Sequence, residues 1–243
     1  MTNLLLYHFP GSICSQMARL AIIEKGLPFQ RQTVDIMNSE QFEPWYIALN
    51  PAAVVPTLKD GEQIITDTIQ IVNHINTHPG PDLTVGGKPE VQEWLTRIMA
   101  LHYGVLLYSG HLDADRTSPT MISRAANLKK MASDQPELAE VMAKRLAGNK
   151  KLQATLKNAD QVAEHFAAAR GVVNDMNSAL EAQDFLCGDK YSLADVFATA
   201  ALARFLVHGF QEWWADGVNV NVADYYHRIR ARPSFDTAGI VDS

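Results

Sequence analysis

The chain opens on a short apolar run, Leu4-Leu5-Leu6, lengthened by Tyr7 and Phe9, and then its period changes. Pro10 and Gly11 signal a turn, Ser12 is a good helix N-cap, and apolar residues follow at Met17, Leu20, Ala21 and Ile22. This predicts a strand over 4–8, then a turn, then a helix over 12–25 that Gly26 stops. Phe29 to Val34 reads as a second strand. Glu40 to Leu49 reads as a short helix or irregular turn with Phe42, Trp45 and Tyr46 for burial, and Asn50-Pro51 then breaks the chain. Val54 to Leu58 and Gln63 to Thr66 form two short strands around Lys59-Asp60-Gly61-Glu62. Asp67 or Thr68 caps a helix through Ile71, Val72 and Ile75. The order β-α-β-α-β-β-α predicts a mixed sheet with helices on its faces, an α/β domain.

A stretch rich in Pro and Gly, His78 to Lys88, ends that pattern. It separates a first domain over 1–79, through a linker over 80–88, from a second over 89–243. The second domain reads helical throughout. One long helix starts at Pro89 and carries Trp94, Ile98, Leu101 and Val105; a second spans Ser118 to Ser133. Pro136 to Gln161 is polar, with a break expected at Gly148-Asn149, and a long helix covers 159–182. Ser192-Leu193-Ala194-Asp195 has the spacing of a capping box, with Tyr191 and Val196 placed as a hydrophobic staple. The helix behind it, Val196 to Leu206, is almost wholly apolar and must be the buried centre of an all-α domain. Asp195 is accordingly a folding element, not a catalytic acid.

Composition narrows the function. With 243 residues, 47% of them hydrophobic, the chain can bury one large or two modest cores. A net charge of −6 with no basic stripe argues against nucleic acid as partner. No apolar run approaches a membrane span. Two cysteines make neither a disulfide framework nor a metal motif, and a reducing compartment, the cytoplasm, suits them. The N-terminus lacks the basic and long apolar regions of a signal peptide. Cys14 sits in the first turn of a helix, where unsatisfied N–H groups and the macrodipole favour a thiolate, and Ser12 and Ser15 add hydroxyl donors. The stretch is suited to ionising sulfur, its own or a ligand's.

Four pieces, in order, resemble the cytosolic glutathione transferases over nearly the whole chain. They are Ser12-Ile13-Cys14-Ser15 with Arg19; Asn50-Pro51-Ala52-Ala53-Val54-Val55-Pro56-Thr57-Leu58; Asp67-Thr68-Ile69-Gln70-Ile71; and Tyr191-Ser192-Leu193-Ala194-Asp195. Within the superfamily the chain is most similar to the tetrachlorohydroquinone dehalogenase branch, then to the zeta class. It shares the tail pattern Arg230-Ala231-Arg232-Pro233 with β-aryl etherases. The resemblance implies a thioredoxin-like N-terminal domain, a helical C-terminal domain forming the second-substrate site, a homodimer, and glutathione as cofactor. It implies a cis Val55–Pro56 bond whose Val55 N–H and C=O meet the cysteinyl part of glutathione. Thr68 would hold the γ-glutamyl carboxylate at a helix N-terminus, and Asp67 the ammonium. Where many relatives place Gln or Lys to hold the ligand's glycine end, this chain has Val54, so another group must anchor that end; the sequence does not show which, and Gln41, Gln70 and Lys88 are candidates. Ser12 would donate to the glutathione thiolate, and Cys14 would act as nucleophile in a dehalogenase-like reaction. Trp94, His102, Tyr103, His208, Phe210, Trp213 and Trp214 are candidate walls of the second-substrate site. Tyr108, His111 and Arg116 would serve the oxygen of an electrophilic aromatic or quinoid substrate. The alternatives are a maleyl-type isomerase or β-aryl etherase using glutathione, and a non-catalytic ligand-binding stress protein.

Overall fold

A computed structural model describes residues 4–215 and 217–241. Its contacts gather into two compact units, Met1–Ala100 with Val172–Ser243, and Leu101–Gly171.

The first unit begins with β1 (Leu4–His8), α1 (Ile13–Glu24), β2 (Phe29–Thr33), α2 (Pro44–Leu49), β3 (Thr57–Asp60), β4 (Gln63–Ile65) and α3 (Thr68–Asn76). The sheet order is β2-β1-β3-β4, with β1 and β2 parallel and the other two pairings antiparallel. This mixed, thioredoxin-like sheet follows from the pattern: the β1-to-β2 connection is long enough for a helical crossover, whereas β3 and β4 are joined by a two-residue turn. Leu4, Leu6 and Leu58 from the sheet pack with Ala18, Ile22, Ile71 and Ile75 from α1 and α3. The opposite face carries Tyr7, Val34 and Tyr46, with Trp45 and Tyr46 edge to face. Gly26 has φ +74°, the left-handed conformation that lets the chain leave α1.

The expected strand from Val54 does not start until Thr57, because residues 50–56 fold into a loop held by side chains. The buried Tyr46 hydroxyl and Asn50 Nδ2 both donate to Val54 O, at 2.6 and 2.9 Å, and Asn50 Oδ1 accepts from Ala52 N. The Val55–Pro56 peptide is cis.

The helical part of the first unit holds α4 (Pro89–Met99) and, near the C-terminus, three more helices. Two further helices, α5 (Tyr103–Tyr108) and α6 (Pro119–Asp134), belong to the second unit with α7 (Ala139–Lys157). Then α8 (Ala159–Ala179) is divided between the units, and α9 (Leu193–Val207), α10 (Val220–Arg230) and α11 (Pro233–Thr237) complete the first. The helix expected to run from Pro89 past Val105 is two helices. His102 stops it by taking the N-cap of α5, its Nδ1 accepting from Val105 N. The break expected at Gly148-Asn149 is absent: α7 runs through it, and Asn149 is buried with Nδ2 donating to Met121 O of α6. In the second unit Val105, Met121 and Leu156 form the core.

The capping box of α9 is present. Asp195, fully buried, accepts from the Ser192 N–H and hydroxyl, the Leu186 N–H and the Tyr225 hydroxyl. Burial pushes its carboxyl up and these donors pull it down. Four donors on one buried carboxylate answer its desolvation and fix α9 against α10 and the 183–188 turn.

Candidate active site

The β1–α1 turn brings Ser12, Cys14 and Ser15 to one place. Ser12 has the extended backbone of an N-cap, and its Oγ accepts from Ser15 N at 3.3 Å, leaving its hydroxyl proton to donate elsewhere. Ser15, fully buried, is turned inward instead, its Oγ accepting from Phe9 N. Cys14 is a half-buried free thiol in the first turn of α1.

Its electrostatics differ from the expected low pKa. Burial pushes the Cys14 thiol above the ordinary thiol value; the Thr68 hydroxyl hydrogen-bonds it and pulls back, the Asp67 carboxylate pushes up, and Arg204 pulls down. The helix start favours the thiolate, but desolvation and the acidic residue that α3 presents from 53 positions away work against it. Arg204, on α9, also donates to Gly11 O at 2.6 Å, tying the turn to the apolar helix. Neither Arg204 nor the Asp67–Cys14 proximity was readable from local spacing.

Asp67 is the N-cap of α3, its carboxylate accepting from Gln70 N at 2.9 Å, and it remains exposed. Thr68 is the first residue of the helix and is buried, and its side chain acts to lower the Cys14 thiol pKa. Beyond the side-chain clamp on Val54, the Val55 N–H and C=O take part in no hydrogen bond among the described residues. A pair of main-chain groups left unpaired in a loop suits an extended peptide ligand.

Of the candidates for the glycine end, Lys88 is committed elsewhere, its Nζ donating to Cys187 O at 2.7 Å. Gln70 is exposed. Gln41 has a buried Oε1 with no partner among the described residues. Cys187 is buried, and its thiol is pushed up to about 11, chiefly by burial.

The candidate walls divide. Trp94, Trp213 and Trp214 are buried, with Arg97 over the Trp94 ring and Phe210 stacked on Trp213, so these are packing residues. His102 and Tyr103 are at the start of α5 in the second unit, His102 edge to face with His165; His208 is the C-cap of α9. Tyr108, His111 and Arg116 all belong to the second unit. Tyr108 packs on the Val105–Met121–Leu156 core, His111 is exposed, and Arg116 has φ +54° with Nε donating to Leu156 O at 3.2 Å. The described hydrogen bonds join none of these three to another.

Comparison with known proteins agrees with this geometry. Residues 11–78 match the family profile of the glutathione S-transferase N-terminal domain, and residues 120–236 that of its C-terminal domain. The chain belongs to the glutathione S-transferase family, enzymes that use glutathione as co-substrate. The tetrachloro-p-hydroquinone reductive dehalogenase of Sphingobium chlorophenolicum is 30% identical over 99% of this chain and 97% of its own. The protein described as glutathione S-transferase TCHQD in Arabidopsis thaliana is 28% identical, covering 95% of this chain and 87% of its own. The crystal structure of β-etherase LigF from Sphingobium sp. strain SYK-6 shares the fold, with a TM-score of 0.70 at 22% identity over 97% of this chain and 98% of that one. No helix among the described residues is long and apolar enough to cross a membrane.

Proposed function

We propose that this protein is a glutathione-dependent transferase acting on an electrophilic aromatic or quinoid substrate, with reductive release of the product by Cys14. The observation that carries the reading is the half-buried Cys14 thiol. Its pKa is pulled down, against burial, by the Thr68 side chain at the start of α3; it follows the Ser12 cap in the first turn of α1, and the unpaired Val55 main chain belongs to the same unit.

Glutathione lies along Val55 and Pro56, with its γ-glutamyl carboxylate at the Thr68 N-terminus and its ammonium against Asp67. Ser12 donates its free hydroxyl proton to the glutathione thiolate and stabilises that charge. The thiolate attacks a halogen-bearing ring carbon, forming a C–S bond and expelling halide. Cys14, as thiolate, then attacks the sulfur of the adduct. An S–S bond forms, the C–S bond breaks, and the ring carbon takes the electron pair and a proton. A second glutathione thiolate attacks the glutathione sulfur of the mixed disulfide, giving oxidised glutathione and freeing Cys14. The sum is halide replaced by hydrogen at the cost of two glutathione thiols oxidised to one disulfide. A thiol of raised pKa is thiolate in smaller proportion, but each thiolate is the stronger nucleophile. Tyr108, His111 and Arg116 are assigned to the substrate's ring oxygen by residue chemistry. The glutathione-binding domain is taken as 1–79, and the homodimer and cytoplasmic location rest on the family.

Product analysis by mass spectrometry, with a halogenated hydroquinone and excess glutathione, tests the reading. Wild type should yield the dehalogenated ring and oxidised glutathione. Cys14→Ser should accumulate the glutathionyl-arene, and Ser12→Ala should slow the first attack about 10- to 1000-fold, the scale of losing one charge-stabilising donor. Identical products and rates for wild type and Cys14→Ser would make Cys14 structural. Failure to turn over chlorodinitrobenzene as well as the hydroquinone would remove the transferase reading.

A further inference from the structure

We propose that Asp60, His74 and His78 bind a single divalent transition ion of the zinc(II) type, at a site separate from the residues assigned to glutathione. The chain places the two histidines four apart, one helical turn, at the end of α3. Asn76 is the last helical residue, and Thr77 keeps the helical conformation, so the two rings stay on one face with centroids 5.2 Å apart. Asp60 is the last residue of β3, its backbone in register with Leu4 of β1 and Gln63 of β4. Strand and helix thus converge three side chains from a rigid scaffold.

Both imidazole Nε2 atoms lie close to one carboxylate oxygen, Asp60 Oδ2, at 2.9 Å for His74 and 3.0 Å for His78. Only the first is a hydrogen bond. His78 Nε2 is buried and has no hydrogen-bond partner among the described residues. A buried ring nitrogen left unpaired is costly, and a cation shared by all three atoms would satisfy it. The spacing fits. Metal–nitrogen and metal–oxygen bonds of about 2.0–2.1 Å put neighbouring ligand atoms about 3.0 Å apart in an octahedron and about 3.3 Å in a tetrahedron. Two neutral imidazoles and one carboxylate suit zinc and the neighbouring first-row ions; calcium and magnesium prefer all-oxygen sets. The three side chains are 15–20% exposed, which leaves an entry path and room for water at the remaining positions. Neither cysteine takes part. A bound ion would clamp the C-terminal end of α3 to the β3–β4 hairpin.

The test uses the full chain, freed of metal with a chelator. Titration calorimetry with zinc chloride at neutral pH, and the visible spectrum with cobalt(II), should report a bound equivalent that weakens on acidification, because both imidazoles must be unprotonated. His78→Gln keeps the Asp60–His74 hydrogen bond, so its metal-free fold should be unchanged by circular dichroism, and its zinc affinity should fall at least tenfold. His74→Gln/His78→Gln should lose that equivalent, and zinc should raise the wild-type melting temperature but not the double variant's. Absence of zinc binding by wild type would overturn the proposal. So would a double variant that still binds the same number of equivalents at wild-type affinity, which would place zinc elsewhere, such as at Cys14.

Discussion

At Cys14 two local rules compete. A helix N-terminus favours a thiolate, and partial burial disfavours it. Burial wins, and the balance is then set by charges that arrive from distant positions: Asp67 against, Arg204 for. The alkylation rate of Cys14 as a function of pH reads this balance, with the buried Cys187 too basic to interfere at neutral pH. Asp67→Asn, which still caps α3, should lower the apparent thiol pKa and speed alkylation at neutral pH. Arg204→Gln should raise it and slow alkylation, each by about one pH unit or less for a partly screened charge. Unchanged profiles in both variants would mean that neither charge acts on the sulfur. The Ser12-Ile13-Cys14-Ser15 turn was legible as a capped helix start carrying a thiol from its own residues. The sign of the thiol's shift was not, because it is set by burial, which only the tertiary packing around the turn decides.

Among the elements, the loop over 50–56 shows how side chains replace a ladder. Asn50 is buried and its side chain makes three hydrogen bonds: Nδ2 to Val54 O and to Thr57 Oγ1, and Oδ1 from Ala52 N. Asn50→Ala leaves buried polar groups short of partners and should destabilise the protein by about 1–3 kcal/mol in urea unfolding. Because the same bonds aim Val55, the KM for glutathione should rise with kcat less affected. A stable Asn50→Ala protein with unchanged KM would detach this loop from glutathione binding. Strand, helix and cap positions with clean periodicity or a capping signature were readable: β1, α1, α6 and α9 lie where the pattern puts them. The misplaced boundaries have two causes. The α4–α5 break turns on a histidine used as a cap three residues before its partner, a residue type that does not mark a helix start in the pattern, and the uninterrupted α7 on Asn149 finding Met121 O, 28 residues away.

On the scale of the molecule, the first unit joins the beginning of the chain to its end through one buried cation. Arg19 is only 2% exposed. It donates to Ala238 O, Gly239 O, Pro10 O and Phe9 O, and its NH1 lies 2.9 Å from His8 Nδ1. An arginine always donates, so His8 Nδ1 accepts and the ring is neutral. Burial first, then the Arg19 and Arg31 charges, bring its pKa down to about 4 from the ordinary 6.5. The unfolded chain therefore takes up a proton that the folded chain refuses. The contribution is fully present above pH 6.5 and is lost as pH falls from there toward 4, up to about 3 kcal/mol. Urea unfolding followed from pH 7.5 to 4 should show this decline. In His8→Gln, whose side-chain oxygen still accepts from Arg19, the decline should be shallower by that amount. Parallel curves for the two proteins would refute the neutral, buried His8. Arg232 and Ser234 reinforce the same closure by bonding Glu24 of α1.

The hydrophobic period, the turn residues and the capping box by themselves determined a mixed sheet followed by helices, because each is a local rule satisfied within a few residues. The motif order, read as a resemblance, determined the family for the same reason: its pieces are short and contiguous. The tertiary structure decided what depends on desolvation and on meetings across the chain. These are the direction of the Cys14 shift, the Arg19 hub binding residues 8–10 to 238–239, the commitment of Lys88 to Cys187, and the convergence of Asp60 on His74 and His78. Sequence spacing shows that two histidines share a helical face. Only the packing of a strand end against that helix can show what faces them.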